Sequence, residues 1–122
     1  MATFSIVVTT SPLSNLTNTT QDLVEAIALS EHILNGVFFY QAGVLNASKS
    51  IVIPADETQT TKRWKTLSKQ YGIPLHLCST AAEKHGLIDQ EDELALIEPS
   101  FMLSGLGELV VLTEQADKVI QL

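Results

Sequence analysis

The chain has a single cysteine, Cys78, in 122 residues. One cysteine excludes an internal disulfide, a C-x-x-C redox pair and a thiolate zinc site. Positive charge is scarce too: seven Lys and Arg stand against fourteen Asp and Glu, a net charge of -7. Phosphate contacts need clustered cations, so nucleic acid is not expected as a direct partner. The one local basic group, Lys62, Arg63 and Lys65, falls on a predicted helix, where it reads as a solvated face. No apolar run reaches the ~18 residues that cross a bilayer, so no membrane partner is expected. The opening "MATFSIVVTT" lacks a basic start and a long apolar stretch, and reads as a first strand rather than a signal peptide. These absences point to the cytoplasm. Asn-x-Ser/Thr triplets at Asn15, Asn18 and Asn46 carry no meaning there.

What remains is a chain of ordinary single-domain length, 45% hydrophobic, enough for one core. "FSIVV" (4–8) and "VFFY" (37–40) are short continuous apolar runs, the pattern of strands buried on both faces. Between them a helix capped by Asn18 or Thr19 carries Leu23, Ala26, Ile27, Ile33 and Leu34 on one side, with Asn35 and Gly36 ending it. Residues 41–56, "QAGVLNASKSIVIPAD", read as a long connection whose Ile51, Val52 and Ile53 need cover. A helix from Glu57 to Tyr71 follows, with Thr60, Trp64, Leu67 and Tyr71 on one face, Gly72 at its cap and Pro74 beyond.

"IPLHL" (73–77) is the third strand, and Cys78 ends it. A short helix then has Thr80 and Glu83 spaced as a capping box and stops at Gly86. "DQEDELALI" (89–97) reads as a further short helix with an acidic first turn. "FML" (101–103), a helix opened by "SGLG" and running to Gln115, and "KVIQL" (118–122) complete the chain. Apolar strands alternating with helices predict one doubly wound α/β domain, residues 1–122, with a five-stranded parallel sheet and helices on both faces. Sites in such sheets form beyond the carboxyl ends of the strands, and Cys78 lies there.

The chemistry open to Cys78 follows from that place. A helix start presents unpaired N–H groups and a positive dipole end, which favour a thiolate or persulfide anion. His76, two residues earlier, shares the strand face with Cys78, and in protonated form would favour the anion further. His85 lies farther along the short helix and is less well placed. A buried small hydrophobe and a reactive thiol both fit this position, and His76 also fits an ordinary edge histidine. "SGLG" (104–107) fits an anion-binding turn or a plain strand-to-helix turn. "TTSPLSNLTNTT" (9–20) fits a flavodoxin-like phosphate loop or a solvated one. Asp89, Glu91, Asp92 and Glu93 fit a divalent-metal or basic-partner site or a solvated helix start.

Four stretches carry a resemblance: "FSIVVTTSP", "VFFYQAGVLNAS", "YGIPLHLCSTAAEKHGL" and "FMLSGLGELVVLTEQADKVIQL". In this order and spacing the chain resembles the DsrE-like sulfur-relay family, closest to its members that serve 2-thiolation of the tRNA wobble uridine. The resemblance implies a flavodoxin-like fold and a persulfide carrier with Cys78 as acceptor nucleophile. It also implies no metal or organic cofactor. The partners it implies are homologous subunits in a dimer of heterotrimers, with small sulfur-donor and sulfur-acceptor carrier proteins, and it would make residues 41–56 an interface. Two departures touch the choice of carrier: the loop after the first strand has no glycine, and the stretch from His85 to Pro99 is strongly acidic. A silent assembly subunit of the same fold, a sulfur-oxidation relative and a phosphate binder are the alternatives.

Overall fold

The structure, a computed structural model, describes residues 1–122. Five strands form one parallel sheet in the order β4-β3-β2-β1-β5. They are β1 (Thr3–Val8), β2 (Ile33–Phe39), β3 (Leu75–Cys78), β4 (Phe101–Ser104) and β5 (Lys118–Gln121). From β1 to β4 the chain steps steadily in one direction, and β5 then returns to the far edge beside β1. Right-handed crossovers convert a reversal of direction into a change of face. The helices α1 (Asn15–Ala28), α2 (Thr60–Tyr71) and α3 (Ser79–Lys84) therefore share one face with the 3₁₀ helix Gln41–Ala47. Only α4 (Leu106–Gln115) crosses the other face, over β1 and β2.

On the face under α1 to α3, strand alternation supplies Ile6, Val8, Val37, Phe39, Leu75 and Leu77, all essentially buried. Trp64 of α2 meets Phe39 edge-on with ring centroids 4.9 Å apart. The α2 face expected from spacing is present, with Thr60, Trp64 and Leu67 buried and Gly72 capping in the left-handed region at φ 65°. The helix begins at Thr60 rather than Glu57.

The region between β1 and β2 is divided differently from the sequence reading. Helix α1 starts earlier, its N-cap being Ser14, whose side chain accepts from the Leu16 N–H. The capping hydroxyl precedes a buried stripe that opens with polar residues, Thr17, Thr20 and Gln21, which is why hydrophobic spacing missed it. Ala26 faces solvent. Ile33 and Leu34 belong to β2, and Asn35 and Gly36 lie within that strand instead of ending a helix. The register of β1 and β2 slips by one residue there, with Phe4 opposite Leu34 and Ser5 opposite Gly36. Asn35 fills that bulge; it accepts from the Ser5 hydroxyl at 2.6 Å and donates to the Leu112 carbonyl at 3.1 Å.

Residues 41–56 are not a free connection. Gly43, Val44, Asn46 and Ala47 are buried in the chain's own core. A Cβ at Gly43 would sit 2.0 Å from the Val8 carbonyl oxygen, so only glycine permits this approach. Asn46 donates to the Thr10 and Gly43 carbonyls at 3.0 and 2.8 Å and accepts from the Trp64 indole at 3.0 Å. Ile51 and Ile53 are half-buried, while Val52 is 88% exposed. The expected helix at 89–97 is absent; turns and bends occupy it. That segment is closed by an antiparallel bridge between Ser48 and Ile97, with Lys49 N–H donating to the Leu96 carbonyl and Glu98 N–H to the Ala47 carbonyl. This pairing takes residues 96–98, the end of the segment, out of any helical ladder.

Candidate active site

Cys78 is the last residue of β3 and the residue immediately before α3. Register places it opposite Ser104 of β4. The thiol is 1% exposed to bulk solvent but borders a cavity of ≈ 300 Å³. The other walls are Tyr40 and Gln41 beyond β2, Thr80, Ala81, Lys84 and His85 of the α3 region, and Leu106 at the start of α4. The cavity therefore sits where the carboxyl ends of β2 and β3 meet the turns after β3 and β4, the place parallel-sheet topology reserves for sites. The capping box expected at Thr80 and Glu83 does not form. Cys78 is itself the N-cap residue, with no side-chain cap bond. The helix that follows has only six residues, so its dipole is small.

His76 plays a different part from the one spacing suggested. Strand alternation does put it on the same side of β3 as Cys78, yet its ring is committed to α4 and β4. Nδ1 is hydrogen-bonded to the Ser104 hydroxyl at 3.0 Å, and Nε2 lies 3.9 Å from Glu108. Burial pushes the imidazole below its ordinary value of 6.5, and the Glu108 carboxylate offsets this only in part. At neutral pH His76 is thus neutral and supplies no charge to a thiolate. The histidine that reaches the cavity is His85, with Lys84 beside it. Both are exposed and bring the only basic side chains to its wall.

Gln41 is the wall residue that composition could not flag. Its φ of 52° makes it the one non-glycine residue in the left-handed region, a conformation that costs of order 1 kcal/mol and tends to gather at functional sites. The turn from β2 into the 3₁₀ helix, pinned by Tyr40 N–H donating to Val8 and Gly43 N–H donating to Tyr40, holds it there.

The remaining sequence candidates lie elsewhere. In "SGLG", Ser104 binds His76, Gly105 caps α4 and Leu106 lines the cavity. The hydroxyls after β1 are turned inward: Thr10 and Thr17 bond each other at 2.6 Å, and Thr17 also donates to the Ser11 carbonyl. A loop so self-satisfied has little left for a phosphate. Asp89, Glu91, Asp92 and Glu93 do not come together with each other or with His or Cys in a group of three that could hold a metal ion. No helix is long and apolar enough to cross a membrane.

A model of the DsrE/DsrF-like family matches residues 2–122. Sulfurtransferase TusD of Serratia proteamaculans (strain 568) is 35% identical over 103 residues, 80% of each chain. Sulfurtransferase TusD of Klebsiella pneumoniae subsp. pneumoniae is 36% identical over the same share. Among solved structures, the crystal structure of the ychN protein from E. coli superposes over 100% of both chains with a TM-score of 0.73. At 20% identity that likeness concerns the fold alone.

Proposed function

The chain belongs to the DsrE/DsrF-like family, and on that footing we propose that it is a sulfurtransferase carrying sulfane sulfur as a persulfide on Cys78. One observation carries the reading. The chain's only cysteine ends β3 and faces a cavity at the carboxyl edge of a parallel sheet, where sites of such folds form. The relatives named Sulfurtransferase TusD give the reaction class.

The chemistry is thiol–persulfide exchange. The Cys78 thiolate attacks the outer sulfur of a donor persulfide. A bond forms between Sγ and that sulfur, the donor's S–S bond breaks, and the donor leaves as a thiolate. The sulfane sulfur keeps its oxidation level throughout, so no external oxidant, metal or organic cofactor takes part. Delivery repeats the exchange with Cys78 persulfide as donor and a downstream thiol as acceptor. Leu106, Tyr40 and Ala81 restrict water around the sulfur, while Lys84 and His85 put positive or polar groups at the wall where the anion forms.

In the relay this implies, a small donor protein loads Cys78 and a small acceptor carrier unloads it, with 2-thiolation of the tRNA wobble uridine as the end of the line. Homologous DsrE-like subunits complete the working complex in the cytoplasm. The test is intact-mass spectrometry after incubation with a cysteine desulfurase, cysteine and a small donor protein, with Cys78→Ser in parallel. A gain of one sulfur on the parent chain alone supports the carrier. No gain, with Cys78 still open to alkylation, assigns the chain to a silent assembly role.

A further inference from the structure

Cys78 is covered, and on one side the cover is thin. The residue is 1% exposed although it borders a cavity. Sulfur exchange needs direct approach of another sulfur to it, so part of the wall has to give. The walls from β2 and α3 are anchored. Tyr40 N–H donates to the Val8 carbonyl, Ala81 is buried, and the Ala81 carbonyl accepts from His85 N–H. The wall from α4 is looser. Leu106 lines the cavity yet is 49% exposed, so its side chain is only half packed.

The sequence sets Leu106 on a weak joint. It stands between Gly105, the N-cap of α4, and Gly107 in the first turn. Neither glycine answers a steric need. Neither has a positive φ, and a Cβ at either would meet nothing within 4 Å. Glycine orders a helix turn less well than alanine does, and this end of α4 has no side-chain cap bond. Leu106 is therefore carried on backbone that bends readily.

One buried side chain holds the joint from beneath. The His76 ring lies beside Gly36 of β2, where an added Cβ would come within 3.4 Å of its Cδ2. Its Nδ1 is hydrogen-bonded to the Ser104 hydroxyl at 3.0 Å, and its Nε2 faces Glu108 at 3.9 Å. The carboxylate favours the proton on Nε2, so Nδ1 accepts from Ser104. The two contacts bracket Leu106, one before it in the chain and one after. Ser104 is also the residue that register sets opposite Cys78.

We propose that His76 is a positioning residue for the sulfur site: by binding Ser104 and facing Glu108 it holds the β4–α4 turn so that Leu106 covers Cys78, and a sulfur donor or acceptor reaches Cys78 by displacing that turn. This rests on the reading of Cys78 as a persulfide carrier, and it supplies what keeps the sulfur on the chain between loading and delivery. The loss it guards against is exchange with a small thiol. The thiolate of that molecule bonds to the outer sulfur, the Sγ–S bond breaks, and Cys78 leaves as a thiolate.

Because the chain has one cysteine, alkylation reports Cys78 alone. The full chain is alkylated with iodoacetamide and, in a second arm, loaded with persulfide and challenged with glutathione. His76→Leu removes both contacts at similar volume. It should speed alkylation and sulfur loss about threefold to tenfold, the range that one hydrogen bond commands. Leu106→Ala, which thins the cover itself, should do at least as much. His76→Asn keeps an amide that reaches Ser104, and should return both rates to within about twofold of the parent. Gly107→Ala should slow both rates without lowering the urea midpoint, a change that loss of packing cannot produce. Ser104→Ala cuts the same bond from a half-buried position, and serves if His76→Leu does not fold. Parent-like rates in folded His76→Leu and Ser104→Ala would overturn the proposal, as would a His76→Asn no different from His76→Leu. Alkylation needs no loaded sulfur. Rates in the expected order on a chain that never loads would uphold the cover and count against the carrier reading alone.

Discussion

The two faces of the sheet are built to different standards. Under α1, α2 and the 3₁₀ helix the structure is closed, with Trp64, Phe39 and Asn46 at 0% exposure and a glycine in backbone contact with β1. The other face also buries Ser5, Val7, Phe38 and His76, but the one helix above it contributes a single buried residue, Leu112, and leaves Leu106, Val110 and Val111 in solvent. The closed face is where substitution should damage the fold, and the open face is where it should damage what the fold does. Cys78 sits on the boundary between them, walled by α3 from one side and by Leu106 from the other.

The sharpest break of this contrast is Gly43→Ala. A methyl group 2.0 Å from the Val8 carbonyl oxygen cannot be accommodated without moving backbone. A loss of about 3 kcal/mol or more is expected, read as the urea midpoint or as failure to express folded protein. Asn46→Ala comes next. It strands the buried Trp64 N–H and two carbonyls, and should cost about 2–4 kcal/mol by the same measurement.

On the open face the expected effects are smaller and conditional. His76 has its pKa lowered by burial, so below 6.5 the unfolded chain takes up the proton more readily than the folded one. Stability should then fall as pH drops through and below that value, and recover above it. His76→Asn should show a smaller fall in thermal midpoint between about pH 7.5 and about pH 5.5 than the parent. Smallest of all, Val110→Asp, at a position 53% exposed, should change the stability of the isolated chain by no more than about 0.5 kcal/mol. A large loss there would mean that α4 is packed more firmly than its single buried residue indicates.

Much of the closed face could be read before any coordinates. Continuous apolar runs marked β1 and β2, and spacing placed Trp64 and Leu67 on one side of α2. The errors fell where hydrogen bonding outweighs hydrophobic pattern. Helix α1 begins with a stripe of threonine and glutamine, β2 begins with a bulge, and an acidic run that looks helical forms bends and turns that lead into the pairing of residues 96–98 with 47–49. The candidate site was legible only in part. The position of Cys78 could be read, because a strand end before a helix is recognisable in sequence, and the structure places it there at a cavity wall. Its neighbours could not, because Tyr40, Gln41 and Leu106 come to it only once β2, β3 and β4 are known to lie side by side. His76 misled because sharing a strand face does not fix where a ring finds its hydrogen bond.

The carrier role of Cys78 is tested most directly by counting sulfane sulfur on the chain itself. The protein is loaded with a persulfide donor, freed of small molecules and treated with cyanide, and the thiocyanate released is measured. The bound sulfur is then located by mass spectrometry of the peptide containing residue 78. One sulfane sulfur per chain, located on Cys78 and absent from Cys78→Ser, is the expected result. Loading that survives in Cys78→Ser, or none on a chain whose Cys78 still alkylates, would contradict it.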